Sequence, residues 1–335
     1  MKAFTKVTFT ILLLLLTSGF LFSQDMPDLK VRLGGTVQGM ASYSQTGGVD
    51  TSQIGFGLRR VRLRAYTSYG KHFKGMIQME VTNPKLLDAR ITYGLNENFN
   101  VRVGRFIGAG VRSGGLTSHT VIDIVERPLT AQRWGAATIG GDYRDYGLAV
   151  FGKIAGGLSY NVTIHNGDGA RNIKATHKGA GKTLNSGFAF SGMLTFKPAS
   201  VKGLEAGGYY GVGNKYFNDY NAYNAYVYYT PSQFEIKAEY IGWKNNTSEV
   251  SSAGYYVFGG YFFTPKIELL ARYESFDPNA DVDEDAQNLI TVGARYFLFP
   301  TKKTAGKITA AYVVHGEQGT AVDNDVFYLM FQLVF

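Results

Sequence analysis

Apolar and polar residues alternate along most of the chain, in runs of about ten separated by Gly, Pro, Asn and Asp. In the last run, 326–335, Phe327, Leu329, Phe331, Leu333 and Phe335 share one face of a strand. Tyr328, Met330, Gln332 and Val334 share the other. Period-two alternation is the strand signature. One face so wholly apolar is a poor soluble edge, but it suits the closing strand of a barrel in a bilayer, where every backbone group pairs and one face meets lipid. Similar segments occur at 29–43, 58–69, 73–82, 86–95, 99–106, 144–153, 158–166, 186–197 and 204–213. Others follow at 221–230, 234–243, 253–263, 267–276, 288–299 and 304–315. The pattern predicts an all-β chain: a transmembrane antiparallel β-barrel of about sixteen strands.

Connection lengths agree with that count. With both termini periplasmic, even-numbered connections should be short turns and odd-numbered ones longer external loops. The even ones, 70–72, 96–98, 154–157, 198–203, 231–233, 264–266 and 300–303, are all short. Among the odd ones, 107–143, 167–185, 244–252, 277–287 and 316–325 are nearly all longer. Residues 134–141 look strand-like, but counting them as spanning would put loop 167–185 in the periplasm, so they belong to loop 107–143.

At the N-terminus, Lys2 and Lys6 precede a short apolar run from Ile11 to Leu16, and small residues follow. This is the layout of a signal peptide over residues 1–23, with cleavage near Ser23–Gln24, leaving one barrel domain over 24–335. The apolar run is far short of the roughly 20 residues a spanning helix needs.

Composition sharpens the class. The 335 residues include 42 Gly, 23 Tyr, 23 Phe, 8 Pro and no Cys. Abundant aromatics and Gly fit girdled strands with tight turns. The mean hydropathy of −0.10 excludes a multi-helix membrane protein. Without Cys there are no disulfides and no thiolate metal sites.

Charge then changes the picture. Net charge is +8, and alternation sends most strand charges to the lumen face. Arg60, Arg62 and Arg64 alternate with Val61, Leu63 and Ala65. Lys30, Arg32 and Lys74 flank them, and Arg90, Arg102, Lys237, Arg272 and Arg295 also point inward. Inward carboxylates are Glu80, Asp88, Glu205, Glu235, Glu239, Glu268 and Glu274. Two readings follow for the arginine strip. One is an anion path, since a planar guanidinium fork binds phosphate or carboxylate and three in register pass an ion along. The other is a salt-bridge lattice stiffening the wall. Three consecutive inward arginines outnumber their nearby carboxylates, which favours the anion path.

Loop 107–143 carries Arg112, Arg127, Arg133 and His119 with Asp123 and Glu126. Loops of this length are usually functional. Folded into the lumen it forms a constriction; left outside it is an external flap. Loop 167–185 holds Arg171, Lys174, His177, Lys178 and Lys182 with no carboxylate after Asp168. These residues collect anions at the external mouth or bind anionic groups of lipopolysaccharide.

Other motifs fail on spacing. Gly179–Thr183 resembles the end of a phosphate-binding loop, but Thr176 stands where its first glycine belongs. Gly108–Gly114 has the wrong spacing for a dinucleotide fingerprint and opens no helix. Asp281–Asp285 starts like a calcium loop, but Ala286 replaces the required Gly and Val292 the bidentate Glu. The five histidines show no close metal-ligand spacing. No nucleic-acid fold pattern accompanies the basic charge. An enzyme, a metal centre and a cofactor are not expected.

Several segments together resemble the phosphate-selective O/P family of outer-membrane porins found in Bacteroidetes-like bacteria. They are Arg59-Arg-Val-Arg-Leu-Arg-Ala65, Phe73–Glu80, Asp88-Ala-Arg-Ile-Thr-Tyr93, Val101-Arg-Val-Gly-Arg-Phe106, Arg144–Ala149, Tyr160–Gly167, Ala271–Pro278 and the final strand. The resemblance covers essentially the whole mature chain. It implies a sixteen-stranded, usually trimeric barrel in the outer membrane of a Gram-negative bacterium, passing anions through an arginine-lined pore narrowed by an inward loop. Arg60, Arg62 and Arg64 match the family's basic run, and Arg105 stands where the chain enters the constriction loop. After Phe106 the family pattern commonly continues with a basic residue and Pro, whereas this chain has Ile107-Gly-Ala-Gly110. The expected function is passive diffusion of small, phosphate-like anions. A general diffusion porin and a plugged structural or adhesive barrel are the alternatives.

Overall fold

The computed structural model describes residues 28–46, 51–167, 169, 178–179, 182–183, 188–215, 218–318 and 322–335. The expected signal peptide lies outside the described residues. The main sheet is one closed antiparallel barrel of sixteen strands. In chain order these are β1 (Leu29–Thr46), β2 (Thr51–Tyr69), β3 (Phe73–Glu80), β4 (Lys85–Gly94), β5 (Asn100–Phe106), β6 (Asp145–Lys153), β7 (Leu158–His165) and β8 (Ala189–Phe196). The second half comprises β9 (Leu204–Lys215), β10 (Asn218–Tyr229), β11 (Phe234–Asn245), β12 (Ser251–Thr264), β13 (Ile267–Asp277), β14 (Gln287–Phe297), β15 (Gly306–Glu317) and β16 (Val326–Val334). Each strand pairs with its sequence neighbours, and β1 pairs with β16 to close the wall. At the seam, Gly35 N–H donates to Phe335 O at 2.7 Å and Phe335 N–H to Gly35 O at 3.1 Å. Closure leaves no free edge along that ladder.

Alternation sorts the side chains as a bilayer requires. Val31, Leu33, Leu63, Phe190, Val257, Phe331 and Leu333 stay exposed on the outer face. Thr36, Gln38, Gln78, Glu239, Glu268, Arg272 and Thr309 are buried within. No helix among the described residues is long and apolar enough to cross a membrane; strands do the crossing.

Two irregularities aim residues of the site. In the β1–β2 ladder Gln38 opposes Arg60 and Gly39 opposes Leu58, so Arg59 is an extra residue on β2. Such a bulge shifts the alternation by one. Ile54, Phe56 and Leu58 are exposed before it, and Leu63 after it. On β5, Gly104 adopts φ 119° and lies against the Ala89 carbonyl, a conformation natural only to glycine. The alternation breaks there, and both Arg105 and Phe106 end up buried.

The connection between β5 and β6 folds into the barrel and contains a nine-residue helix, α1 (Leu129–Ala137). Residues 134–141, read from the sequence as strand-like and assigned to this loop, form the end of α1 and the turn after it. Trp134 anchors the helix, stacked on Tyr143 with centroids 6.2 Å apart and edge-on to Tyr209 at 5.6 Å.

Candidate functional site

Inside the barrel, the loop between β5 and β6 is fastened to the wall from β7 round to β2. Ala109 N–H donates to the Thr163 hydroxyl on β7 at 3.0 Å, and Arg112 Nε to Glu205 on β9 at 2.7 Å. The backbone N–H groups of Arg112 and Ser113 donate to the two oxygens of Glu239 on β11, at 2.7 and 2.8 Å. Farther along, Lys307 on β15 and Gln332 on β16 both donate to the Thr120 carbonyl, at 2.9 and 3.1 Å. Gln38 on β1 reaches the His119 carbonyl at 3.1 Å. Lys237 on β11 pairs with Asp123 at 2.7 Å, Arg272 on β13 donates to the Glu126 carbonyl at 2.9 Å, and Leu129 N–H donates to Glu274 at 2.5 Å. The loop therefore covers the β9–β16 side of the lumen and leaves space on the β2–β4 side.

That space is a cavity of about 580 Å³. Its wall is the inner face of β2–β4, and its other side is the loop around Leu116–His119, Glu126, Arg127 and Gly141–Arg144. The cations lining it are Arg59, Arg60, Arg62, Arg64, Lys85, Arg90, Arg127 and Arg144; the carboxylates are Glu80, Asp88, Glu126 and Asp142. Eight against four leaves four positive charges in surplus. Toward the short turns a second cavity of about 510 Å³ shares Tyr66, Met76 and Arg90 with the first and adds Lys71, His72, Lys74 and Arg102. The two together form a basic route along one side of the lumen. Beneath the loop on the β8–β11 side, a third cavity is balanced: Arg112, Lys197 and Lys237 face Asp123, Glu205 and Glu235.

Both readings of the lumen charges have a place in this geometry. Arg62 pairs with Glu80 at 2.9 Å and Arg144 with Asp88 at 2.8 Å. Arg59 grips Glu126, with Nη2 to Oε2 at 2.6 Å, and Arg60 lies 3.6 Å from the same carboxylate. On the opposite side Arg272 pairs with Glu274 and Arg295 with Glu268, each at 2.7 Å. A lattice therefore runs round the wall. Arg64 stands apart: its Nη2 donates to the Thr36 hydroxyl, and no carboxylate pairs with it among the described residues.

Arg32 lies 4.8 Å over the Tyr66 ring, Arg90 donates to Met76 Sδ at 3.1 Å, and Arg102 sits 4.5 Å over Phe151 while bonding Thr92. With Lys74, Arg90 and Arg102 line the second cavity.

The four arginines at and within the inward loop take different places. Arg105 does not line the narrow cavity; it bonds the Leu87 carbonyl at 2.5 Å, Asp142 at 2.9 Å and the Gly169 carbonyl at 2.9 Å, tying wall to loop. Arg112 faces the balanced third cavity. Arg127 lines the basic cavity, but its guanidinium is spent on the loop's own carbonyls of Ser113, Gly114 and Thr117. Arg133 is exposed on α1 and lines none of these cavities. Arg171 and Lys174 lie outside the described residues, and Lys178 and Lys182 belong to a separate two-stranded pair.

Arg59, Gln78 and Arg144 were not among the expected site residues. The signal for Arg59 is the change of phase between Leu58 and Val61, which only an inserted residue can produce. His119 sits on the loop facing the arginines. Burial, and then Arg62, Arg64, Arg60 and Arg144, hold its imidazole well below the ordinary histidine range, so the ring is neutral. Among the described residues no group of three His, Asp or Glu side chains could hold a metal ion.

Solved structures share the architecture. The anion-selective porin from Comamonas acidovorans superposes with a TM-score of 0.67 at 15% identity, covering 92% of this chain and 100% of that one. OmpF of Salmonella typhi, solved with daunomycin, gives 0.67 at 12% identity, covering 92% and 98%. The outer-membrane channel DcaP of Acinetobacter baumannii gives 0.64 at 15%, covering 92% and 98%. Compared with curated protein sequences, the chain has no match. Residues 10–316 match the Gram-negative porin family. With that match and a sixteen-stranded barrel, the chain belongs to the Gram-negative porins and is a diffusion channel of the outer membrane.

Proposed function

We propose that this porin favours small anions, phosphate-like ones among them, over cations. The observation that carries the reading is the surplus of four positive charges in the cavity between β2–β4 and the inward loop. In a narrow, partly dehydrated passage such a surplus lowers the barrier for anions and raises it for cations. Its continuation through Arg90, Arg102 and Lys74 extends the same sign toward the short turns. The Comamonas acidovorans relative described as anion-selective has the same fold. A specialisation like that of the phosphate-selective O/P porins is the narrower form of this proposal.

A general diffusion porin is the second reading, favoured by the ion pairs that occupy Arg62, Arg144, Arg59 and Arg60. Single-channel conductance in a planar bilayer under a chloride salt gradient separates the two. The expected result is an anion-biased reversal potential, reduced in Arg62→Ala and Arg64→Ala. Conductance without bias supports the general porin, with the arginines as wall supports. A silent barrel supports the plugged alternative.

A further inference from the structure

The three lumen cavities described above are all lined by several charged side chains. A fourth, of about 400 Å³, lies at the end of the barrel opposite the short turns, the external end in a porin. Ala136 and Ala137, in the last turn of α1, form one side of it; Tyr220 on β10, Trp243 and Asn245 on β11 and Ser252 on β12 form the wall. Tyr220 and Asn245 are directly opposed across one ladder, Trp243 and Ser252 across the next. No carboxylate lines this alcove, and its one cation, Lys215, donates to the Ala136 carbonyl at the end of the helix. Trp243 is held by stacking on Phe276, with centroids 5.8 Å apart and planes 16° from parallel. Asn245 Oδ1 accepts the backbone N–H groups of Thr247 at 2.9 Å and Ser248 at 3.1 Å, which orients the carboxamide and leaves its NH2 to the cavity. That NH2, the Tyr220 hydroxyl and the Trp243 indole N–H make no hydrogen bond among the described residues, and none of the three is sealed from solvent. Asn218 and Ser248 are exposed at the rim.

We infer that this alcove binds a small neutral saccharide, of one or two rings, at the external mouth. A sugar ring has an apolar C–H face that packs on aromatic side chains and a rim of hydroxyls that each donate and accept. Tyr220 and Trp243 supply aromatic surface; the Tyr220 hydroxyl, the Asn245 and Asn218 amides and the Ser248 hydroxyl supply polar partners of both kinds. An anion finds no uncommitted cation here. An apolar solute would strip water from the amide and hydroxyl groups and give nothing back. The volume falls within the ~300–1,000 Å³ usual for small-molecule sites. The inference is separate from the anion-favouring reading, because the alcove shares no lining residue with the basic cavities. A sugar held there is concentrated beside the channel entrance without occupying the basic route.

The chain's 2 tryptophans report separately: Trp134 is 1% exposed within the inward loop, whereas Trp243 lines the alcove. The test is tryptophan emission of the full-length refolded protein, titrated with glucose, maltose and sucrose. An amine-oxide detergent is used because alkyl maltosides carry a sugar headgroup. The expected result is a saturable change with at least one of the sugars and none with glycine betaine at equal osmolality. Tyr220→Phe removes only the hydroxyl, and Asn245→Asp keeps the acceptor for Thr247 and Ser248 while losing the NH2. Each should raise the half-saturating concentration about three- to tenfold, the effect of one lost hydrogen bond. Chloride conductance of Tyr220→Phe should match the wild type, which shows an intact barrel. No saturable change with any of the three sugars in the wild-type protein overturns the site, as does an equal response to betaine. A half-saturating concentration unmoved in both variants overturns it too, since the sugar then binds elsewhere. Loss of the site leaves the anion proposal standing, and a channel without anion bias leaves the site standing. Because the wild-type titration decides by itself, a variant that fails to fold does not remove the test.

Discussion

Glu80 accepts three hydrogen bonds, from Val61 N–H at 2.8 Å, Arg62 Nε at 2.9 Å and the Thr82 hydroxyl at 2.8 Å. It therefore holds Arg62 in place and cancels its charge. Replacing Glu80 by Gln keeps an acceptor for the backbone and removes one negative charge from the cavity wall. The expected outcome is a chloride-over-potassium permeability ratio raised roughly two- to fivefold at low salt, shrinking as salt screens the charge. Bi-ionic reversal potentials check it, and an unchanged ratio would show that ions do not pass along this wall. At this scale the sequence was readable where alternation held: Arg60, Arg62 and Arg64 line the cavity. It does not separate residues whose partners decide. The loop arginines looked alike as sequence, but Arg127 is spent on local carbonyls and Arg133 faces solvent, and only folded geometry separates them.

Among the elements, the inward loop depends on wall carboxylates that bind its backbone. Glu239 is 2% exposed and takes the N–H groups of Arg112 and Ser113 as well as the Asn224 amide. Glu239→Ala leaves those donors without partners at about 1–3 kcal/mol each, enough to detach the loop's first turn for part of the time. Single-channel records should then show bursts of larger conductance with weaker ion selectivity; a steady trace at the wild-type level would mean the remaining anchors suffice. Strands were legible at the level of elements, since period-two alternation and turn residues are local signals. The helix α1 was not. Its nine residues, Leu-Thr-Ala-Gln-Arg-Trp-Gly-Ala-Ala, include a Gly, and it has no side-chain N-cap. So short a helix is marginal in isolation and forms here because Trp134 is buried against Tyr143 and Tyr209, with Glu274 meeting its first N–H. Nothing local in the chain announces those partners.

For the whole molecule, the wall is uneven in height. Strands β3–β8 have 7 to 10 residues, whereas β9–β15 have 11 to 14. The β1–β2 hairpin rises above the low side: β2 pairs with β3 only from Arg62 onward, so Thr51–Arg60 have β1 on one edge and, among the described residues, no strand on the other. Phe56 there is 96% exposed and Ile54 83%. An open strand edge with large apolar side chains invites pairing with another chain. A homotrimer, which the family resemblance implies, would bring the hairpin of each barrel against its neighbour above the low wall. Phe56→Glu together with Ile54→Thr should convert trimers to monomers in detergent, read as mass by light scattering or as mobility of the unheated protein on a gel. Each monomer should keep its conductance, because the cavity lined by β2–β4 and the loop belongs to one chain. If the double variant stays trimeric, the hairpin edge is not the contact; if the wild-type protein is monomeric, lipid or another partner covers it.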